Sequence, residues 1–537
     1  MRRLSALAVA LAIGGVASPD AWAESLRGTP GSDRLLGTRF GDLIEGLAGD
    51  DLLRGRAGQD VLVGGAGNDR IAAQADLGRD TVRCGPGADV VNAELGDAVA
   101  ADCEVVARQL SRDPFAVPRG QRETQVEPDS LAWGTTVVTT FQSSRFASGG
   151  AAGIGWATSR DGGRTWRAGH LPGLSVYTAR PGRYAQVSDP VVAYDAAHGV
   201  WLIASLGIDG NTALLVNRSR DALAWDAPIV AAASPLEDYD KEWIVCDNWS
   251  ASPFRGSCYL AYLDVEAGSI AVRRSSDGGL TWSEAVVTAA DRALGGLVNG
   301  AFPVVRPDGA LVVVFTVFGA FDPSANRIAV VRSTDGGASF GPAVDVARLL
   351  EEQIFGMRAP PLVSADVDVS GRVHIAWADC RFAEQCAANG IVVASSVDGE
   401  RWRPPVQVPA VVPGERVDHF VPGIAVTRAG DRLAVVFHSL RQQLGCVIEA
   451  CEGAEVWLSE SLNGGATWRP PQRLSAEPMP LSWIANTGVG RMLADYVSVS
   501  YVGGRPVPVF ALASEPVGSP FRQAIFAATL PQQTARR

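Results

Sequence analysis

Aspartate returns every nine residues at Asp33, Asp42, Asp51, Asp60 and Asp69, and glycine keeps the same step at Gly28, Gly37, Gly46, Gly55 and Gly64. Five carboxylates in one register repel unless a cation sits among them. Their hard oxygens, with the carbonyls that glycine turns expose, suit a divalent ion such as Ca2+. A second set of polar residues lies further along: Glu127, Asp189, Asp240, Lys241, Glu242, Asp495 and Tyr496, many beside a proline or an aromatic residue. It reads either as carboxylates facing a ligand or metal, or as turn caps and salt bridges between neighbouring elements. The third set is Arg145, Arg381 and Arg441, each four residues beyond an aromatic one, Phe141, Trp377 and Phe437. At one mouth, three planar guanidinium groups would grip a carboxylate, sulfate or phosphate; dispersed, they would pair with acids such as Asp379. The histidines His170, His198, His374, His419 and His438 share no metal or triad spacing and read as surface or strand positions.

The elements that must carry the first set are short turns. An apolar residue keeps the nine-residue step as Leu35, Ile44, Leu53, Leu62 and Ile71, one inward side chain per turn of a narrow stacked core. The fullest copy is Gly64-Gly65-Ala66-Gly67-Asn68-Asp69-Arg70-Ile71. It resembles the haemolysin-type (RTX) calcium-binding nonapeptide, Gly-Gly-x-Gly-x-Asp-x-apolar-x, which implies a parallel β-roll over residues 24–106, loose without Ca2+ and ordered with it. The second repeat has Phe40 where a glycine belongs, and several second positions are Thr, Leu or Arg, which implies weak or absent ion sites there. Past Ile71 the step slips, although Asp80 and Asp89 are nine apart, and Cys84 and Cys103 bracket the last turns as a disulfide cap. Residues 107–126 lose the period and read as a linker or closing strand.

The other two sets fall between six copies of a short motif, starting at Ser159 (SRDGGRTW), Ser219 (SRDALAW), Ser275 (SSDGGLTW), Ser333 (STDGGASF), Ser396 (SVDGERW) and Ser461 (SLNGGATW). Spacings of 60, 56, 58, 63 and 65 residues suit a four-stranded unit with its loops. In a hairpin turn Ser and Asp cap backbone N–H groups, glycine takes positive φ and the aromatic packs back on the sheet. The motif resembles the Asp-box, or BNR repeat, of sialidases: closely at Ser159, Ser275 and Ser333, less so where Ser219 lacks the glycine pair, Ser396 is one residue short and Ser461 has Asn463 for Asp. The resemblance implies a β-propeller over residues 127–537, so that the chain is all-β, a roll followed by six or seven blades. Inner strands near Ser130, Val191, Trp243, Val304, Val363, Ile424 and Tyr496 favour seven, with the segment around Phe115 to Val117 as the missing outer strand.

Sialidases use an arginine triad, a tyrosine nucleophile helped by a glutamate, and an aspartate acid. Carried over, Tyr496 stands before the turn Gly503-Gly504 of the last inner strand, and Arg119 or Arg122 precedes the first. The loop from Gln142 to Gly153 holds no acid, and Asn299-Gly300-Ala301-Phe302 stands where the glutamate belongs. Exo-sialidase chemistry is therefore poorly supported, while Asp189 with Asp240 or Glu242 would serve glycoside hydrolysis. Two classes stay open: a glycan-active enzyme, and a calcium-dependent propeller that binds an anionic glycan or a protein without catalysis.

Length and composition set the frame. The 537 residues carry a formal charge of -11, which argues against a nucleic-acid partner. Arg2 and Arg3, the apolar stretch Leu4 to Ala17 and Ala21-Trp22-Ala23 read as a signal peptide over residues 1–23, so that a secreted protein with no membrane span is expected. The cysteines fall into close couples, Cys84 with Cys103, Cys246 with Cys258, Cys380 with Cys386 and Cys446 with Cys451, which suits disulfides outside the cell rather than zinc. Calcium and an extracellular glycan or glycoconjugate are the expected partners of a monomer.

Overall fold

The computed structural model describes residues 23–530 apart from 75–77, 320–321, 410–415, 443–452 and 517–520. The expected signal segment and the Cys446 and Cys451 couple thus lie outside the described residues. Within them the chain is all-β with a few short helical turns, and no helix is long and apolar enough to cross a membrane.

The nonapeptides build a β-solenoid. Alternate repeats go to opposite parallel sheets: Ser25–Arg27, Leu43–Ala48, Val61–Ala66, Thr81–Arg83 and Ala98–Val99 form one. The other holds Arg34–Leu36, Leu52–Arg54, Arg70–Ala73, Val90–Ala93 and Val105–Gln109. Two repeats make one coil, so that Ile44 registers with Leu62 and Leu53 with Ile71. Ile44, Leu53, Leu62, Ile71, Val82 and Val91 are fully buried and fill the space between the sheets. The Cys84–Cys103 disulfide closes the end.

The rest is a ring of antiparallel sheets. Among the described residues its inner strands are Gly120–Trp133, Gln186–Asp195, Tyr239–Cys246, Gly296–Val305, Ser364–Val367, Val417–Val426 and Ser498–Val502; each neighbours the next and the last neighbours the first. The turn motifs join outer strands as their chemistry predicts. Ser159 Oγ lies 2.8 Å from Asp161 Oδ1 and accepts the Gly163 N–H, and Trp166 Nε1 donates to the Gly163 carbonyl. The Ser275 and Ser333 turns repeat the pairing with Asp277 and Asp335. Across the third sheet Cys246 faces Cys258, with which it is bonded; Cys380 and Cys386 are bonded likewise.

Five inner strands carry a bulge at one level, where two residues oppose one: Glu127-Pro128 against Phe141, Asp189-Pro190 against Ser205, Lys241-Glu242 against Tyr262, Gly300-Ala301 against Phe315, and Val421-Pro422 against Phe437. The first residue of each pair has positive φ, 54° at Glu127, 49° at Asp189, 48° at Lys241, 73° at Gly300 and 50° at Val421. Such bulges re-aim side chains. Only one is glycine, so at the others the backbone is held in a conformation that L residues seldom adopt.

The last sheet has strands Ser498–Val502, Arg505–Ala513 and Gln523–Thr529, and its outer edge is taken by Val105–Gln109, with Val106 facing Thr529 and Gln109 facing Phe526. This corrects the expectation for Phe115 to Val117. Pro114 and Pro118 flank that segment and cannot donate to a ladder. Phe115 instead packs edge-on to His170, ring centroids 4.9 Å apart. Val105–Gln109 also pairs, in parallel, with Val90–Ala93, so that one sheet of the solenoid runs unbroken into the ring. Asn92 pins the junction: its Nδ2 donates to the Leu474 carbonyl at 2.9 Å and its Oδ1 accepts the Ala476 N–H at 2.6 Å. Arg54 pairs with Glu477 and Glu515 and lies over the Trp483 ring.

Candidate functional site

A cavity of about 1090 Å³ opens at one mouth of the ring: the bulge residues Glu127, Asp189 and Lys241 line it, with Asp240, Gln142, Arg145, Arg358 and Asp495. Gln142 Nε2 donates to Glu127 Oε2 and to Ser188 Oγ, and that hydroxyl donates to Asp189 Oδ1 at 2.6 Å. Arg358 grips Asp495 with two nitrogens, Nε 2.9 Å from Oδ1. Arg145 donates to the Phe146 carbonyl at 2.7 Å, leaving its buried Nε without a hydrogen bond. Lys241 Nζ sits 3.9 Å above the Tyr496 ring and 4.3 Å from that of Trp243.

Charge is crowded here, and it moves protons. Burial first, then the charges of Asp189 and Asp495, hold the Glu127 carboxyl well above the usual range, with Arg358 and Arg145 pulling the other way. Burial and then Asp189 raise Asp240 to about 6. Asp129, at a deeper level of the same inner strand, is raised to about 7 by burial although it accepts the Val192 N–H. The inner end of the site thus gathers several carboxyl groups whose pKa burial drives up, a property that general acid chemistry uses.

The residues singled out in the sequence part company at this mouth. Asp189, Asp240 and Arg145 line the cavity. Glu242 lies wholly buried behind it, neither oxygen hydrogen-bonded, its carboxyl raised by burial and then by Asp189. Tyr496 is buried as well, its hydroxyl donating to the Pro190 carbonyl at 3.3 Å, and burial, followed by the neighbouring carboxyl groups of Glu127 and Asp189, pushes the phenol well above its ordinary value. Arg381 turns onto Asp379 at 2.7 Å, and Arg441 is exposed at its strand end; neither lines the cavity, so the three arginines do not converge there. Arg119 and Arg122 are exposed too. The arginine that joins Arg145 is Arg358, which lies on no strand and has no aromatic partner four residues back. Its one signal is Pro360-Pro361, the proline that also marks the entry at Pro128, Pro190 and Pro422.

The solenoid has its own site chemistry. From Asp51 on each aspartate of the ladder accepts, through Oδ1, the N–H of the aspartate one coil earlier, as Asp69 does from Asp51 and Asp89 from Asp69. In the first two repeats Thr29 and Thr38 take up the other oxygen of Asp33 and Asp42. From Asp51 on no such threonine stands, and Oδ2 of Asp51, Asp69 and Asp89 is buried without a hydrogen bond. These oxygens fill the space where glycine has no side chain: a Cβ at Gly46 or Gly64 would lie 2.4 Å from Oδ2 of Asp51 or Asp69, and one at Gly55 equally close to Asp60 Oδ2. Burial and then neighbouring carboxylates push Asp51 and Asp69 up, and Asp89 to about 6. Among the described residues no three His, Cys, Asp or Glu side chains converge on one point; glycine carbonyls such as Gly64 O, beside Gly46, stand near the aspartates and would supply further oxygens to an ion. Orphaned carboxylate oxygens next to carbonyls fit Ca2+, which prefers six to eight oxygen ligands.

The family model of the RTX calcium-binding nonapeptide repeat matches residues 27–62 and 36–71. Residues 27–71 carry RTX calcium-binding repeats. No curated protein matches the chain. Among solved structures, an α-L-arabinanase of Penicillium chrysogenum is 15% identical with a TM-score of 0.42, covering 61% of this chain and 92% of its own. An ulvan lyase of polysaccharide lyase family PL25 is 12% identical, TM-score 0.46, over 78% and 94%. A Hadza microbial sialidase is 13% identical, TM-score 0.39, over 68% and 73%.

Proposed function

We propose that this chain is a secreted, calcium-binding, seven-bladed β-propeller with Asp-box turns that holds an extracellular glycan in the 1090 Å³ cavity and cleaves a glycosidic bond there. Its parts in this proposal are a signal peptide at 1–23, a roll at 24–106, a linker or closing strand at 107–126 and the propeller at 127–537. The closed ring of seven inner strands supports the blade count, and three disulfides among the described residues support an oxidising compartment.

Glu127 carries the catalytic reading. Glycoside hydrolysis needs one carboxyl that keeps its proton at neutral pH, to protonate the leaving oxygen, and one that has lost it, to stabilise or attack the sugar. Burial and the charges beside it raise the Glu127 carboxyl and suit it to the proton-carrying role, and Asp189 or Asp240, on the same wall, stands as its partner. Arg145 and Arg358 orient polar or anionic substituents, and Tyr496, walled off and kept neutral, braces Lys241. The same cavity without catalysis would make the protein a calcium-dependent glycan- or protein-binding propeller.

The test is a panel of fluorogenic glycosides, a sialoside among them, incubated with the calcium-loaded protein and its Glu127→Gln, Asp189→Asn and Tyr496→Phe variants. Release abolished by Glu127→Gln and spared by Tyr496→Phe supports these roles. Release that survives Glu127→Gln sinks the role of Glu127. Silence across the panel together with binding on a glycan array moves the protein to the binding class.

A further inference from the structure

Strand Val105–Gln109 belongs to two structures at once. On one side it completes the parallel sheet whose turns carry the aspartate ladder; on the other it is the outermost strand of the last sheet of the ring. The ladder itself ends at this strand. Asp89 donates its N–H to Glu104 Oε2, and the Val105 N–H donates to the Asp89 carbonyl. Val105 and Ala107, Ala72 and Val90 of the roll bury their side chains in the same core as Phe510, Phe526 and Leu474 of the ring. Asn92 and Arg54 fasten the adjoining coils to Leu474, Ala476 and Glu477.

We infer that calcium bound by the nonapeptide ladder locks the ring shut: the ion orders the last coils, and the coils hold Val105–Gln109 against Gln523–Thr529, the sheet that must join its neighbours to close the circle. The roll is then a calcium-operated clasp rather than an appended module. The inference rests on the calcium reading of the roll and stands whether or not the cavity cleaves glycans. Mass action gives its size: an ion at about a hundred times its dissociation constant multiplies the folding equilibrium constant of the elements that order with it by about a hundredfold per site.

Hydrogen exchange on the full chain, in millimolar CaCl2 and in EGTA, reads this out without reference to activity. Amides of Val90–Ala93 and of Gln523–Thr529 are expected to lose protection together on chelation, by about tenfold or more. Those of Leu311–Gly319, across the ring, hold theirs. Asp69→Asn is expected to raise the calcium midpoint of the roll and of Gln523–Thr529 by one common factor. Loss of protection in the roll with Gln523–Thr529 unmoved overturns the clasp, and so does a response in neither. If Asp69→Asn fails to fold, calcium titration of the unaltered chain decides by the same criterion: coincident midpoints support the clasp and separate ones reject it.

Discussion

Replacing Glu127 by glutamine separates what the residue does for folding from what it does for chemistry. Its carboxyl is 2% exposed, accepts a hydrogen bond from Gln142 and has its pKa raised above the unfolded value. Below about pH 4 folded and unfolded chains both carry the proton, and glutamine, which keeps the shape and one acceptor, should be close to neutral. As pH rises the unfolded carboxyl ionises while the folded one does not, so the wild-type chain loses about 1.4 kcal/mol per pH unit until the folded group ionises too. Starting from an unfolded pKa of about 4.3, Glu127→Gln should be more stable than wild type at pH 7, by at most about 3.7 kcal/mol, the limit reached if the folded carboxyl keeps its proton throughout. Urea unfolding followed by tryptophan fluorescence at pH 4, 5.5 and 7 measures this, in calcium throughout. Activity should meanwhile fall by about 10²–10⁴-fold. A variant less stable than wild type at pH 7 would refute the reasoning, because it would mean that Glu127 is an anion held by Arg145 and Arg358.

Removing Arg54 as Arg54→Ala strands Glu477, whose side chain is 5% exposed, and should cost about 3–5 kcal/mol at pH 7 in denaturant unfolding, while Arg54→Met with Glu477→Gln restores most of it. A Gly64→Ala chain places a Cβ 2.4 Å from Asp69 Oδ2 and 2.8 Å from the Cys84 carbonyl, and calorimetric titration should find its calcium binding weakened while Gly134→Ala, with open space around it, binds as before. The pH dependence of His438 has the opposite sign to that of Glu127. Fully buried and without a hydrogen bond, it is depressed to about 3, so its stability contribution is present above about pH 6.5 and drains away below, by about 1.4 kcal/mol per unit. His438→Phe should flatten that acid limb between pH 6 and 4; an unchanged slope would place the lost protons elsewhere.

The roll was legible because its period is short and every turn repeats its ligand, its glycine and its apolar residue. The polar residues at the strand entries were legible too, because a proline or an aromatic residue stands beside many of them, but the bulges that aim them were not. Other features left no periodic trace. Arg358 sits on an irregular segment, and its partnership with Asp495 exists only once the ring has closed. Arg381 and Arg441 follow their aromatics by the same spacing as Arg145, but at Arg381 the acid two residues back captures the guanidinium at 2.7 Å. At Tyr496 the sequence supplies a position just before the last inner strand, whereas burial, which decides reactivity, comes from residues far away in the chain such as Pro190, Lys241 and Trp243. The outer strand Val105–Gln109 escaped because its partner is at the far end of the chain.

That distance sets the order in which the molecule can be made. Val106 and Thr529, hydrogen-bonded neighbours in the finished sheet, are 423 residues apart. At ordinary rates of synthesis the later strand emerges about 20–80 s after the earlier one. Until then the early strand waits with an open edge, and bringing the two together confines a loop at an entropic cost of about 5 kcal/mol. Closure thus waits for Gln523–Thr529, and a ribosome that stops short of it leaves behind a row of sheets with two unpaired edges, a form that invites aggregation.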